Sequence, residues 1–357
     1  MKSVLFFSFI TCTLAFTLPH IARQLSKAGK GILAADESIK TIGNRFEAIN
    51  LENSLENRNL YRELLFSTPR LNQYISGAIL FEETLENSKL VRLLRENNIL
   101  IGVKVDKGLK PLYGTNNEKW CSGMDDLYER SLLYYKQGAR FAKWRTVFDI
   151  SDTTPSILAI KENSWNLARY ARTVQEAGLV PIVEPEILMN GNHSIDVTTE
   201  IQKFILKQVY ESLYNNKVVL EGTLLKPSMT LPGISNKNDI TPDLVADKTL
   251  ETLKLSVPCT VPGIVFLSGG LSEEDATVYL NAINKRKKNN SWNLSFSFGR
   301  ALQHSCLHTW EGKKENKVKA QQELLKRARA NALASVGKYN GSETGNQNSL
   351  FIKDYTY

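Results

Sequence analysis

The sequence predicts a single-domain (β/α)8 TIM barrel, and three features of it point to this α/β fold. Eight short apolar runs alternate with longer segments that mix polar and apolar residues in a helical pattern. Strands separated by helices pair in parallel, because parallel neighbours need long connections. Six of the runs become charged only near their C-terminal ends, where barrel enzymes carry their catalytic groups. A doubly wound open sheet is the alternative, and no Gly-x-Gly-x-x-Gly turn supports it.

The predicted elements follow this alternation along the whole chain. The strands span residues 31–36, 74–81, 100–106, 140–145, 179–186, 218–226, 262–270 and 292–300. The helices span residues 56–65, 124–136, 156–177, 200–214, 242–255, 272–284 and 317–333. Ser272 and the three acidic residues after it are typical of a helix start, because the hydroxyl caps free N–H groups and negative charge suits the first turn.

Composition and charge exclude several classes of protein. A chain of 357 residues with 42% hydrophobic content can bury a large core. The net charge of +8 is spread along the chain, and its densest run, residues 285–288, has no interleaved aromatics, so we predict no nucleic-acid partner. Basic charge around a deep site would instead suit an anionic small substrate. Beyond the N-terminus no apolar run approaches the length of a membrane span, so we predict no membrane association.

Cysteine and histidine patterns give no support for a metal site. His304 and His308 could share a helix face, but the glutamate of the His-Glu-x-x-His pattern is absent. The cysteines show no paired spacing, which favours reduced thiols. They are Cys12, Cys121, Cys259 and Cys306. We therefore predict neither a metal nor a cofactor.

The two ends of the chain differ from its body. Residues 1–16 combine one lysine with an apolar run and match a removable secretory leader, with a folded amphipathic helix as the alternative. The barrel would then occupy residues 17–337. Residues 338–357 are rich in Gly, Ser, Asn and Thr but end in aromatic residues. We predict a mobile tail that folds over the barrel mouth, and a passive frayed terminus is the alternative.

Lys226 is the most unusual residue of the predicted strands. It ends an apolar run and is followed by a proline. Burial disfavours the ammonium form and lowers the pKa of a lysine, which leaves a neutral amine able to attack a carbonyl. A second lysine nearby, Lys143, would lower that pKa further. The alternative is a strand-end lysine that reaches out to water.

Charges of both signs converge at the same end of the predicted barrel. Residues two apart on a strand point to one side, so Lys143 with Arg145, and Glu184 with Glu186, each direct two charges into one space. A single such pair could be structural. Charges from six strands together indicate a site, because buried charges need partners. The remaining strand-end charges are Asp36, Lys104, Asp106, Lys226 and Arg300.

An anion site is predicted after the last two strands. Ser268-Gly269-Gly270 precedes a helix start, and Gly299 precedes Arg300. Backbone N–H groups, a hydroxyl and a guanidinium would meet there, at the usual phosphate position of a barrel. Two glycines at a strand end are otherwise an ordinary turn.

These motifs, in this order, resemble those of class I fructose-bisphosphate aldolases, and the resemblance runs from about residue 21 to the end. Details such as LNQYISGAILFEETL (71–85) and the closing YTY (355–357) resemble plastid-type members most. The matching motifs are GKGILAADES (29–38), KVDKG (104–108), FAKWR (141–145), VPIVEPEI (180–187), EGTLLKP (221–227), FLSGG (266–270), RALQ (300–303) and the terminal Tyr357.

The resemblance implies a reaction and a role for each matching residue. Lys226 would form a Schiff base with fructose 1,6-bisphosphate or dihydroxyacetone phosphate, and Glu184 would move protons while it forms and hydrolyses. Lys143 and Glu186 would tune that chemistry, and Asp36 would take the proton whose loss splits the carbon–carbon bond. The phosphate beside the ketone would be held by Ser268, Gly269, Gly299 and Arg300. The distal phosphate would be held by Ser38, Thr41, Lys104 and Arg145, with Arg58 a weaker candidate.

The resemblance also implies a homotetramer. Because a leader-like segment precedes a chain that resembles plastid-type members, we predict that the protein is located in the plastid stroma, with the cytoplasm as the alternative. Secretion to the exterior is disfavoured because a glycosylation sequon, Asn293-Leu294-Ser295, lies in a predicted barrel strand. Asn44 stands where the family usually has a lysine, and the leader-like segment replaces the family's polar N-terminal helix. The alternatives are a non-catalytic scaffold, another Schiff-base barrel lyase and a metal-dependent aldolase, for which four scattered histidines are too few.

Overall fold

A closed barrel of eight parallel strands forms the centre of the molecule, which confirms the predicted fold and excludes the open sheet. This computed structural model describes residues 18–288 and 292–353, so the predicted leader and Tyr357 lie outside the described residues. The strands are β1 Gly31–Ala35, β2 Ile75–Leu80, β3 Leu100–Lys104, β4 Leu109–Pro111, β5 Lys119–Cys121, β6 Phe141–Phe148, β7 Val180–Ile187, β8 Leu224–Leu225, β9 Gly263–Phe266 and β10 Asn293–Phe298. The barrel order is β1-β2-β3-β6-β7-β8-β9-β10, and β4 and β5 form a separate antiparallel hairpin.

Helices surround the barrel, and serine or threonine hydroxyls cap the start of six of them. They are α1 residues 18–25, α2 Ile39–Glu47, α3 Leu55–Phe66, α4 Glu82–Glu86, α5 Ser88–Glu96, α6 Leu127–Gln137, α7 Ile157–Glu176, α8 Ile195–Asn215, α9 Pro242–Ser256, α10 Glu273–Arg286, α11 Arg300–Trp310 and α12 Lys317–Ala334. Within the described ranges, none of these helices combines the length and apolar character that crossing a membrane requires.

Burial on both faces explains why the strands are apolar nearly throughout. All eight residues of β6 and all eight of β7 are buried, because the helices cover the outer face and the opposite strands cover the inner one. The charged residues of these strands are therefore also buried. Each of them needs a partner inside the barrel.

The predicted strand 218–226 is wrong over most of its length, since only Leu224–Leu225 pairs as a strand. After α8 the chain passes through Lys217, whose φ of 56° ends the helix, and a 3-10 turn forms over Leu220–Gly222. Gln175 hydrogen-bonds the N–H of Val219 at 3.0 Å and its carbonyl at 2.9 Å. A side chain thus satisfies backbone groups that a longer strand would have paired with its neighbours.

Helix α1, which was not predicted from the sequence, closes the amino-terminal end of the barrel. Leu18, Ala22 and Leu25 pack into the inner core together with residues of the barrel strands. At Gly263 an added Cβ would lie 2.1 Å from Ser26 Cβ, so glycine is needed where the chain after α1 crosses the strand ends. This contact leaves the carboxyl end as the open mouth of the barrel.

The other unpredicted elements are α2, α4, α5, α11 and the β4–β5 hairpin. Helices α2 and α5 are only 9 residues long, and α4 only 5, so each shows too few turns for a clear period. Helix α11 begins at Arg300, with only Gly299 between it and the end of β10. The predicted anion loop is therefore immediately followed by a helix N-terminus at both β9 and β10.

Candidate active site

The predicted catalytic residues lie together at the carboxyl ends of the barrel strands. Asp36 follows β1 directly, Lys226 follows β8, and Lys143 and Glu184 lie within β6 and β7. Their exposed fractions are 2%, 2%, 0% and 1% respectively. The site is therefore a dry ionic cluster at the top of the barrel interior, where each charge interacts strongly with its neighbours.

Four of these side chains form a continuous chain of ion pairs, which we call the catalytic cluster: Asp36, Lys143, Glu184 and Lys226. Lys143 Nζ donates a hydrogen bond to Asp36 Oδ2 at 2.9 Å and lies 3.2 Å from Glu184 Oε2. Glu184 Oε1 lies 3.1 Å from Lys226 Nζ. Two carboxylates and two ammonium groups balance, so the cluster is neutral as a whole. Glu184 connects the two lysines.

The carboxyl of Asp36 is held in its ionised form. Burial by itself would raise its pKa, but the charges of Lys143 and Lys226 and the hydrogen bond from Lys143 outweigh burial and lower the pKa to about 2. At neutral pH this group is a carboxylate and can only accept a proton.

The three strand-end lysines differ in how they are held. Lys104 Nζ lies 2.7 Å from Asp106 Oδ1 and donates to the Asp106 carbonyl at 2.9 Å. Lys143 contacts two carboxylates. Lys226 has a single carboxylate contact in the described part of the chain, to Glu184. Of the three amines, that of Lys226 is the least restrained.

Glu186 belongs to a second ion pair beside the catalytic cluster. Arg145 Nε donates to Glu186 Oε2 at 2.5 Å. Burial would raise the pKa of Glu186, but Arg145, Arg300 and Lys226 lower it below its usual range. The residues of the two predicted i, i+2 pairs are thus all buried and joined by ion pairs between β6 and β7.

Glu37 was missed by the sequence analysis, although it follows Asp36 directly in a matching motif. Its carboxylate is 1% exposed and pairs with Arg62 at 2.6 Å and with Arg45. The Gln303 amide donates to it at 3.2 Å. Burial would raise the pKa of Glu37, but the two arginines lower it. The signal available was a second acidic residue at a strand end with arginines on the following helices.

The predicted anion loops carry backbone conformations that suit glycine. Gly269 has a φ of 57° and Gly270 a φ of 101°, and Ser268 is 8% exposed at the end of β9. Gly299 precedes the first residue of α11, Arg300. The tail approaches this position, because Arg300 donates to the Leu350 carbonyl and Leu350 N–H donates to the Gly270 carbonyl at 3.0 Å.

The residues predicted for the distal phosphate are only partly brought together. Ser38 caps α2, and its hydroxyl lies 2.9 Å from the Thr41 hydroxyl. Arg58 lies on α3, where its guanidinium makes two hydrogen bonds to Glu83 at 2.8 and 2.6 Å. Lys104 and Arg145 are buried beside their own carboxylate partners. The guanidinium of Arg58 is thus already paired with a residue of helix α4.

The described tail residues dock along α10. Tyr339 donates its hydroxyl hydrogen to Glu274 Oε1 at 2.8 Å, and Asn346 N–H donates to Glu273 Oε2 at 3.0 Å. Arg327 of α12 donates to the Glu343 carbonyl at 2.6 Å. These contacts direct the tail towards the loop after β9.

The two histidines of α11 lie side by side. The His304 and His308 rings are 4.3 Å apart, centre to centre. Across residues 18–288 and 292–353, no group of three or more His, Cys, Asp or Glu side chains could hold a metal ion.

Comparison with known proteins gives consistent matches. The family model for fructose-bisphosphate aldolase class-I matches residues 17–357. The chloroplastic fructose-bisphosphate aldolase 2 of Arabidopsis thaliana is 53% identical over 347 residues, covering 95% of this chain and 86% of that protein. The cytosolic aldolase 4 of the same plant is 52% identical over 344 residues, covering 94% and 88%.

A solved structure is similar in fold as well as in sequence. Fructose-bisphosphate aldolase from Plasmodium falciparum, in a ternary complex with TRAP and a small-molecule inhibitor, superposes with a TM-score of 0.91 at 52% identity, covering 92% of this chain and 97% of that chain. With the family model spanning nearly the whole sequence and the barrel matching, the chain belongs to the class-I fructose-bisphosphate aldolase family, and it is an aldehyde-lyase that cleaves fructose 1,6-bisphosphate to two triose phosphates.

Proposed function

We propose that Lys226 carries the Schiff base of this reaction and that the catalytic cluster moves its protons. The observation that carries the proposal is the position of Glu184, whose two oxygens face Lys226 and Lys143 at 3.1 and 3.2 Å. Glu184 can take the proton of the Lys226 ammonium and release the neutral amine. Before this transfer, Lys143 supplies a second positive charge that stabilises the buried Glu184 carboxylate.

The steps balance with these residues alone. The Lys226 amine adds to the C2 carbonyl, and Glu184 protonates the departing hydroxyl, so that water leaves and an iminium forms. Asp36 accepts the proton of the C4 hydroxyl while the C3–C4 bond breaks and its electron pair passes into the iminium. Glyceraldehyde 3-phosphate leaves, and the remaining enamine takes up one proton at C3, which balances the proton taken by Asp36 and returns Asp36 to its carboxylate form. Hydrolysis then releases dihydroxyacetone phosphate and restores Lys226.

Because the pKa of Asp36 is low, substrate binding must raise the basicity of this carboxylate before it can accept a proton. A carboxylate with a pKa of about 2 is a weak base. Its basicity rises when the hydrogen bond from Lys143 at 2.9 Å is lengthened or shared with the substrate. We therefore assign Lys143 the role of setting the basicity of Asp36 during cleavage, and Glu186 that of holding Arg145 in place.

We further propose two phosphate positions at the mouth. Backbone groups of Gly269 and Gly299, the Ser268 hydroxyl and the Arg300 guanidinium would hold the phosphate nearest the ketone. The distal phosphate would contact Ser38 and Thr41 at the start of α2, Lys104 at the end of β3 and Arg145 within β6. Arg58 would contribute only after leaving Glu83.

Borohydride trapping tests the assignment of the nucleophile. With dihydroxyacetone phosphate present, reduction is expected to fix one substrate residue per chain on the peptide that contains Lys226. Prior treatment with a chelator is expected to leave both trapping and turnover unchanged. Label on the peptides of Lys104 or Lys143 would contradict the proposal.

We propose that the tail completes the mouth. Residues 354–357 follow a segment docked against Gly270 and Arg300, and four residues can extend by at most about 14 Å. Deleting Tyr357 is expected to slow cleavage of fructose 1,6-bisphosphate by about tenfold, because a tail that closes the site excludes water. Borohydride trapping should be unaffected. The control Asn348→Ala alters an exposed tail side chain, and equal rates for deletion and control would support a passive terminus.

We propose that residues 1–16 are a removable leader and that the enzyme works in the plastid stroma, reached by the secretory route. The support is the leader-like sequence and the similarity to chloroplastic relatives, with the cytoplasm as the alternative. A fluorescent fusion is expected inside plastids with the leader removed, as shown by N-terminal sequencing. An uncleaved fusion in the cytosol would refute this route.

We propose a homotetramer on the basis of family membership alone. Light scattering is expected to give about four times the chain mass of 40.2 kDa. A mass of one chain at micromolar concentration would contradict it.

A further inference from the structure

A large cavity lies at the amino-terminal end of the barrel, opposite to the catalytic mouth. Its volume is about 740 Å³. Ser76 near the start of β2 lines it, together with the segments that lead into β1, β3 and β6. These four strands are consecutive neighbours in the barrel. At the usual strand spacing the cavity therefore extends over about 14 Å.

The lining of this cavity is strongly basic. Among the described residues that line it there is no carboxylate, whereas five side chains carry positive charge. These five are Lys27, Lys30, Arg95, Lys136 and Arg140. None of them forms an ion pair with a carboxylate in the described part of the chain, and we call them the basal cations.

Their isolation contrasts with neighbouring basic residues on the same helices. On α5, Arg92 lies 3.7 Å from Glu96, and on α6, Arg130 lies 2.9 Å from Asp126. Arg95 and Lys136 lie in the last turns of these helices and face the cavity instead. The unbalanced charge is thus concentrated on one surface.

Neutral contacts orient several basal cations without compensating their charge. Lys30 Nζ donates to the Asn72 carbonyl at 2.5 Å, and Arg140 donates to the Ala139 carbonyl at 2.7 Å while its guanidinium lies 4.5 Å from the centre of the Tyr135 ring. Burial, and then the charge of Lys27, lower the pKa of Lys30. An anion bound between these lysines would relieve that repulsion.

We propose that this basal cavity binds a small molecule that carries two or more phosphate groups. Five cations distributed over the entries to three strands, β1, β3 and β6, match two or more separated anionic groups better than a single one. Ile99, Leu100 and Ile101, with the amides of Gln24 and Asn98, supply a surface for the uncharged part of the ligand. A volume of about 740 Å³ suits a compact ligand rather than a long polymer. This site lies apart from the catalytic mouth and does not depend on the roles proposed there.

The test compares two triple variants with equal changes in charge. Lys27→Gln/Arg95→Gln/Lys136→Gln removes three basal cations, all of them exposed enough to change without disturbing the core. Lys207→Gln/Lys237→Gln/Lys319→Gln is the matched control, because these exposed lysines do not line the cavity. Tripolyphosphate and ATP are titrated separately by calorimetry at low and at physiological salt. Both variants keep the catalytic mouth, so a difference between them reports on the basal cavity.

The wild-type protein and the control are expected to show a binding event that weakens at least about tenfold in the basal variant. Equal loss for both probes would show that phosphates alone are recognised, and a larger loss for ATP would show that the nucleoside contributes. Lys136→Glu provides a single-site test in which binding should weaken while the melting temperature and turnover remain. Equal isotherms for all proteins would overturn the proposal. A short RNA is titrated as a third probe. The proposal is also overturned if the basal variant loses binding to the RNA but keeps binding to tripolyphosphate.

Discussion

Replacement of Lys226 by arginine is expected to lower turnover of fructose 1,6-bisphosphate by about 10⁵-fold or more and to abolish borohydride trapping, since losses of this order follow removal of a covalent nucleophile. A guanidinium remains protonated at any pH that the protein tolerates, so it cannot add to a carbonyl. The measurements are a coupled cleavage assay and mass spectrometry of the reduced adduct.

The same substitution should leave the fold in place. Arginine preserves the positive charge that faces Glu184 at 3.1 Å, so the buried carboxylate keeps an ion partner. A melting temperature within a few degrees of the wild type would show that the activity was lost through chemistry rather than through unfolding.

Lys143→Arg is the matched control, because Lys143 is equally buried and contacts the same glutamate. Its charge also persists, so the adduct should still form on Lys226, while cleavage slows because the hydrogen bond to Asp36 changes. If trapping persists in Lys226→Arg, or if the adduct is lost only in Lys143→Arg, the nucleophile is Lys143 and not Lys226.

The position of the site could be predicted because it depends on local pattern. Apolar runs that turn ionic towards their C-terminal ends predict a barrel, and the closed barrel confirms that fold, although β6 continues for three residues beyond Arg145. Alternation also predicts which side a residue faces. The residues of both predicted pairs are buried, and they form ion pairs between the two strands, Lys143 with Glu184 and Arg145 with Glu186.

The pairing between strands could not be predicted, because it depends on register. Arg145 lies opposite Glu184 in the β6–β7 ladder but bonds to Glu186, and Glu184 instead reaches Lys143 and Lys226. Lys226, which follows β8, thus receives its carboxylate partner Glu184 from the neighbouring strand β7. No spacing within a single strand contains that information.

Tertiary contacts determine three further features that the local sequence does not predict. Val218 and Val219 have strand-forming side chains, yet Gln175 and a 3-10 turn take up the backbone there. Helix α1 is stable because its apolar residues enter the barrel end. The basal cations come from three separate chain segments, so their convergence is invisible until the barrel order brings β1, β3 and β6 together.

Glu184→Gln is expected to reduce kcat by roughly 10²–10⁴-fold, because the amide is nearly isosteric but cannot accept the proton of Lys226 or return one to the carbinolamine. The change also leaves the catalytic cluster with two ammonium groups and one carboxylate. Breaking a buried pair by removing one partner costs about 3–5 kcal/mol, so the melting temperature should fall as well. Stopped-flow measurement of adduct formation should locate the defect in the Schiff-base steps rather than in substrate binding.

Glu37→Gln separates the loss of stability from the loss of chemistry. Glu37 is as deeply buried as Glu184 and also touches two cations, but those cations are Arg45 and Arg62, outside the catalytic cluster. Its replacement should lower the melting temperature by a similar amount while kcat falls far less. If both variants lose kcat equally, the effect of Glu184 is one of packing and charge balance. A different outcome is that kcat of Glu184→Gln stays within about tenfold of the wild type while kcat of Glu186→Gln does not. Glu186 would then be the residue that transfers the protons, because it is the only other carboxylate on β7.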